Sequence, residues 1–347
     1  MKIDYEKYKD YLISCAKQLL STASPTGYYN EVMKVVESYA TSNGAKFSLT
    51  NKGCAVITLS GKDTSKTLGL CAHCDTLGAM VRSIKSDGHL LFSLVGGALL
   101  PSLDGEYCTI ITRSGKKYSG TILSESPSVH VYPDAKTLPR DEAHMYIRLD
   151  ELVSCVKDTE NLGISSGDYI AFDTKTEFTS SGYLKSRFLD DKASVAILLT
   201  LLHILYEERV TPSKNLMILI TMFEEVGHGA SYIPTTLESM LAVDMGCVGL
   251  DLNCTEQQVS ICAKDSRTPY DYALTSRLVE SAKADNINYA VDIYPFYGSD
   301  VGAMWQAGYD IPAGLIGTGV HASHGMERTH IDGMLNTLRL ISSYIEY

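Results

Sequence analysis

The rhythm of apolar and polar positions changes along this chain. From Tyr5 to Leu20 and from Tyr29 to Ser42 apolar residues recur at helical spacing, and the intervening STASPTG carries Pro25 and Gly27, so two helices separated by a break are predicted. Two continuous apolar runs follow, CAVITL from Cys54 and TLGLCAHCD from Thr67, and both read as strands. After about Gly78 the texture becomes short and alternating. Segments such as HLLFSLVG, YCTIITRSGKKYSGTIL, MYIRL and DYIAFD are cut by Gly, Asp, Ser and Pro, which is the pattern of a small β-rich module. From Asp190 helix and strand alternate again. DKASVAILLTLLHILYEE, PYDYALTSRLVESAKADN and IDGMLNTLRLISSYIEY predict helices, while NLMILITMF, CVGLDL and PAGLIGT predict strands.

Continuous apolar strands alternating with helices imply a parallel or mixed sheet covered on both faces. The expected fold is therefore α/β: residues 1–78 and 184–347 form one domain around a mixed, mostly parallel sheet, interrupted by a β-rich insertion at residues 79–183.

Composition narrows the function. A net charge of −11 and a pI near 5.3 argue against a nucleic-acid or anionic-membrane partner, since binding phosphates needs a basic surface. The first twenty residues carry charges throughout, unlike a secretory signal, and no apolar run approaches the roughly 20 residues needed to cross a bilayer. Nine cysteines, odd in number and without paired CxxC spacings, suit buried free thiols in a reducing cytoplasm.

Ligands of open α/β sheets bind beyond the carboxyl ends of the strands, so polar residues placed there carry the chemical signal. AHCD supplies His73 and Asp75, FLDDKA supplies Asp190 and Asp191, and MFEEVG supplies Glu224 and Glu225. VGLDLN supplies Asp251, and GTGVHASHGMERTH supplies His321, His324 and His330. Taken singly each has a plain structural role: a strand-end histidine, an aspartate capping a helix, a solvated glutamate pair. Such roles do not explain why carboxylates and imidazoles recur at one strand end after another. Two histidines and three carboxylates suit a pair of divalent Zn²⁺, Co²⁺ or Mn²⁺ ions about 3.5–4 Å apart, sharing one carboxylate and activating a water. One glutamate is left over, and a hydrolytic water needs a base. Side by side in an extended strand, Glu224 and Glu225 would face opposite ways, so both serve one cavity only if the chain bends near Val226 and Gly227.

These residues resemble the glutamyl-aminopeptidase-like, tetrahedral-aminopeptidase family of co-catalytic metallopeptidases. The resemblance runs through LSTASPTGYYNEV, AHCDTLGAMVRSI, GHLLFSLVGG, LDDKASVA, FEEVG, GSDVGAM and GLIGTGV…HGMER, in the family's order. It implies a zinc-peptidase-like sheet and a β-barrel-like dimerisation domain at residues 79–183. It implies two divalent ions, zinc first and cobalt or manganese as alternatives, held by His73, Asp190, Glu225, Asp251 and His324. Asp190 would bridge both ions and precede a cis peptide to Asp191, Asp75 would orient His73, and Glu224 would be the general base. The resemblance further implies cytoplasmic removal of N-terminal residues from short peptides, by dimers assembled into dodecamers.

The chain departs from the family at the last ligand, where His324-Gly325-Met326-Glu327 replaces an H-S/T-P-x-E pattern; His321 is the alternative after a shift, and His330 a more distant one. Lys192 replaces an arginine, and His228-Gly229 shortens the loop after EEVG. The same metal pair also admits hydrolysis of N-acyl amino acids, and a non-catalytic assembly would keep the ligands alone. An unligated Glu224 argues for chemistry. Asp300, and His130 in the insertion, receive no role.

Overall fold

Four parallel strands form the centre of the molecule. In the computed structural model, which describes residues 3–346, Lys214–Thr221, Asp63–His73, Ser239–Val248 and Ala313–His321 lie side by side in that order. Met1 and Lys2, and Tyr347 at the end of the expected closing helix, lie outside the described residues. Antiparallel strands extend the sheet on one side through Ala55–Leu59 and Lys46–Leu49, and on the other through Glu327–His330, Tyr183–Ser186 and Glu177–Phe178. A branch pairs Val259–Lys264 with Ala313–His321 and with Tyr289–Ile293, completing eleven strands.

The central strands are apolar without alternation because helices cover both faces. Helix Leu189–Glu207 lies against the sheet and is buried almost all round rather than along one stripe, since helices Lys9–Ser21 and Ile331–Ile345 pack on its outer side. Lys192 belongs to this helix. Its buried ammonium donates to the carbonyls of Leu19 at 3.0 Å and Thr22 at 2.6 Å, closing the carboxyl end of helix Lys9–Ser21, where a cation is favoured. The lysine that replaces the family's arginine thus has a structural contact.

Six antiparallel strands between Gly78 and Phe172 close into a barrel. It departs from the main sheet just after His73 and returns just before Asp190, so both ends of the insertion open onto one strand-end region. One expected element is displaced. The strand anticipated at CVGLDL runs instead from Ser239 to Val248, and Asp251 falls beyond it. Among the described residues no helix is long and apolar enough to cross a membrane.

All nine cysteines are free, and all but Cys155 and Cys247 are buried. Burial pushes the thiols of Cys15, Cys108 and Cys262 well up and that of Cys254 up to about 12. Between about pH 8.5 and 12 the unfolded chain loses these protons while the folded chain keeps them, so each thiol subtracts about 1.4 kcal/mol of stability per pH unit. Lys192, lowered by burial to about 8, acts in the opposite sense. Four thiols outweigh one lysine. Thermal denaturation followed by circular dichroism is therefore expected to show a steep fall in Tm above pH 9; a flat or rising Tm would contradict it.

Candidate active site

The glutamate pair is built by a turn. Strand Lys214–Thr221 ends, Phe223 leaves the extended conformation, and Glu224–Val226 form one 3₁₀ turn closed by Gly227 at φ 83°. The bend therefore begins before the pair rather than after it. Asp75 holds the turn: its Oδ1 accepts from the Glu224 N–H at 3.2 Å, and its Oδ2 from the Glu225 N–H at 3.3 Å and the Thr26 hydroxyl at 2.7 Å. The next loop is anchored by Asp300, whose carboxylate accepts from the Thr221 hydroxyl and from Ala230 N–H. Gly229 is required there, because a Cβ would stand 2.2 Å from Asp300 Oδ1. His228 turns away and stacks on Phe223.

Turned in this way, each glutamate faces a different histidine. Glu224 Oε2 lies 3.8 Å from His73 Nε2, and Glu225 Oε2 lies 3.6 Å from His324 Nε2. Asp190 stands between the two imidazoles, with Oδ1 3.1 Å from His73 Nε2 and Oδ2 3.7 Å from His324 Nε2. The peptide from Asp190 to Asp191 is cis, and Asp191 Oδ2 accepts the His73 backbone N–H at 3.1 Å. The far nitrogens of both histidines are also fixed: His73 Nδ1 is 3.1 Å from the Asp75 carbonyl, and His324 Nδ1 is 2.9 Å from that of Gly97. Glu327, fully buried, accepts from the backbone N–H groups of Asp190 and His324, each at 3.0 Å, and so ties two segments of the site together.

Asp251 is not brought to this cluster. It is exposed in the turn after strand Ser239–Val248, at φ 62°. The carboxylate that this strand delivers is Asp244, and the expectation for Asp251 is corrected accordingly. Sheet register explains it. Ala242 pairs with Cys71, so two residues further on Asp244 is level with His73, itself paired with Thr221. His321 ends its strand exposed, and His330 caps the last helix by accepting from Asp332 N–H, leaving His324 in the cleft. Sequence reasoning missed Asp244, Thr26 and Glu327 and left Asp300 without a role; LAVDMG, an aspartate inside an apolar run, was the readable signal for Asp244.

The cleft measures about 420 Å³, and Asp190, Glu224, Glu225, Asp244, Asp300 and His324 all line it. Hollows of about 680 and 930 Å³ elsewhere hold none of these groups, so chemistry rather than size marks the site. Burial pushes the carboxyls of Asp191, Glu224, Glu225 and Glu327 well above the usual range, and with Asp190 nearby it raises Asp244 to about 7. Burial would lower His73, but the hydrogen bond to Asp190 and the surrounding carboxylates hold it well above an ordinary imidazole. Without added positive charge these acids are held towards their neutral forms; a bound cation would let several of them ionise together.

The donor set fits such charge. His73, Asp190 and Glu225 form one group, and His73, Asp191 and Asp244 another, each with ligand atoms within 4.8 Å of one another. Glu225 Oε1 and Asp191 Oδ1 are buried without a hydrogen-bond partner.

Known aminopeptidases resemble this chain. The M42 glutamyl aminopeptidase profile matches residues 53–340. YhfE of Bacillus subtilis, named as an aminopeptidase, is 48% identical over 331 residues, 95% of this chain and 96% of that protein. An aminopeptidase from the archaeon Desulfurococcus kamchatkensis superposes with a TM-score of 0.88 at 23% identity, over 98% of this chain and 95% of that one. The TET1 peptidase of Pyrococcus horikoshii, which can assemble into a tetrahedron or a large octahedral shell, superposes with a TM-score of 0.84 at 19% identity, over 96% of this chain and 99% of that one. Fold, cleft and relatives together define a peptide hydrolase of the aminopeptidase class. The chain belongs to the M42 glutamyl aminopeptidase family.

Proposed function

We propose that this chain removes N-terminal residues from short peptides with water activated by two divalent ions. The observation that carries this reading is the convergence of Asp190, Glu225 and Asp244 on buried His73, with half-buried His324 beside Asp190 and Glu225 and with Glu225 Oε1 left unpartnered. His73, Asp190, Glu225, Asp244 and His324 would hold the ions, Asp190 standing between the two imidazoles. When bound, the ions supply Lewis acidity that polarises the scissile carbonyl and acidifies water. Glu224 takes the water's proton and returns it to the departing amine. Asp75 positions both glutamates and supports His73, as partners of metal-binding histidines do. Zinc is the expected metal, with cobalt and manganese compatible with the same donors. We place the protein in the cytoplasm as a homo-oligomer, a dimer joined through the barrel and grouped into a dodecamer; native mass tests the assembly.

Activity is tested with aminoacyl chromogenic substrates beside their N-acetylated forms, before and after chelation. The expected result is cleavage of the free amino forms only, loss on chelation, and recovery on adding Zn²⁺, Co²⁺ or Mn²⁺. Cleavage of the blocked forms alone would sink the aminopeptidase reading, and full activity after demonstrated metal removal would sink the metal mechanism.

A further inference from the structure

The loop that follows the glutamate pair is gripped by Lys52. Its ammonium donates to the His228 carbonyl at 2.8 Å, to the Ser231 hydroxyl at 2.9 Å and to His228 Nδ1 at 3.1 Å, so all three of its protons go to one loop. Because an ammonium only donates, Nδ1 of His228 is the accepting nitrogen. The same ammonium stands 5.3 Å from the centre of the Phe223 ring, on which His228 stacks at 5.0 Å. Phe223 immediately precedes Glu224 and His228 follows the turn, so the lysine brackets the segment that carries both glutamates. Among the described residues it forms no ion pair with a carboxylate, and its donors serve geometry rather than charge neutralisation.

The reach of Lys52 is built. It sits on the tip between strands Lys46–Leu49 and Ala55–Leu59, where the Thr50 N–H donates to the Cys54 carbonyl at 2.9 Å and the Cys54 N–H to the Thr50 hydroxyl at 3.1 Å. Gly53, at φ 82°, lets this tip lie against Tyr29, whose ring a Cβ would meet at 2.5 Å. The loop it grips needs such a clamp. Glu224–Val226 are a single 3₁₀ turn, a geometry with poor hydrogen bonds, and Val226, Gly227 and His228 are exposed, as in segments that open locally. Asp75 fixes the backbone of Glu224 and Glu225, and Asp300 fixes that of Ala230. Between these two anchors Lys52 supplies a third, at His228.

We infer that Lys52 is a positioning residue for catalysis: by fixing the loop at His228 it keeps Glu224 aimed at the water whose proton it takes. This rests on the aminopeptidase reading and deepens it with a residue from the first hairpin of the sheet. Metal-loaded wild type, Lys52→Ala, Lys52→Met and Lys52→Arg are compared on leucine p-nitroanilide, with bound zinc read by mass spectrometry and hydrogen exchange followed across residues 224–231. Because a small misplacement of a catalytic group is costly, kcat in Lys52→Ala and Lys52→Met should fall about ten- to a hundredfold, while KM and zinc content stay within about twofold of wild type. Exchange across residues 224–231 should quicken in both variants. Lys52→Arg, which keeps a cation with several donors, should recover part of kcat. In a Glu224→Gln background, where no base is left to aim, Lys52→Ala should cost almost nothing further. Wild-type kcat in both Lys52→Ala and Lys52→Met, a loss carried by KM or by zinc content, or an equal loss with Glu224→Gln present would overturn the inference while leaving the aminopeptidase reading intact. Hydrolysis of no aminoacyl substrate by the metal-loaded wild type would overturn both.

Discussion

Exchanging Glu224 for Gln lowers kcat by about 10²–10⁴-fold, the range a positioned general base contributes, and leaves bound metal unchanged. The substitution keeps the shape of the side chain and all the backbone bonds of the turn, because the bond from residue 224 to Asp75 comes from its main-chain N–H. What it removes is the ability to accept a proton 3.8 Å from His73 Nε2. Glu225→Gln is expected to behave differently. Its carboxylate faces His324 and has a buried, unpartnered oxygen, so losing its charge reduces metal content along with turnover. Metal analysis by mass spectrometry, beside steady-state kinetics, distinguishes the two variants. If Glu224→Gln lost metal and Glu225→Gln kept it, the neighbours would have exchanged roles.

The second large effect belongs to Asp244. Asp244→Asn should weaken metal binding by more than the roughly 10–100-fold cost of removing a partner of a ligand, and turnover at low metal should fall with it. Asp251→Asn is the matched control. Asp251 is exposed at φ 62°, a left-handed conformation that asparagine tolerates, so stability should stay within about 0.5 kcal/mol of wild type and metal affinity should not change. Titration of the apoprotein with Zn²⁺ reads both variants. Loss of affinity in Asp251→Asn with none in Asp244→Asn would return the ligand role to the turn.

The contrast between these aspartates shows how far the chain could be read in one dimension. Glu224 and Glu225 were legible because they interrupt an apolar strand at its end, where polar residues draw attention. Asp190 and Asp191 were legible at a junction into a helix. Asp244 was passed over although LAVDMG carried its signal, because it is flanked by buried residues on both sides and the next conspicuous acid, Asp251, stood in the more obvious turn. The tasks of Glu327 and Asp300 were equally hidden, since both accept backbone N–H groups from distant segments.

By itself the sequence determined the alternation of elements, the α/β sheet, the interrupting β-rich module and the clustering of acids and imidazoles near strand ends. These follow from local periodicity and from side-chain chemistry, which neighbouring residues specify. Tertiary structure alone decided which aspartate is level with His73 and which histidine faces the cleft. Those outcomes depend on strand register, on a 3₁₀ turn held by Asp75 and on buried carboxylates joining segments over a hundred residues apart, such as Glu327 with Asp190. Register and long-range hydrogen bonds are fixed only when the sheet packs, which is why hydrophobic spacing along the chain does not carry them.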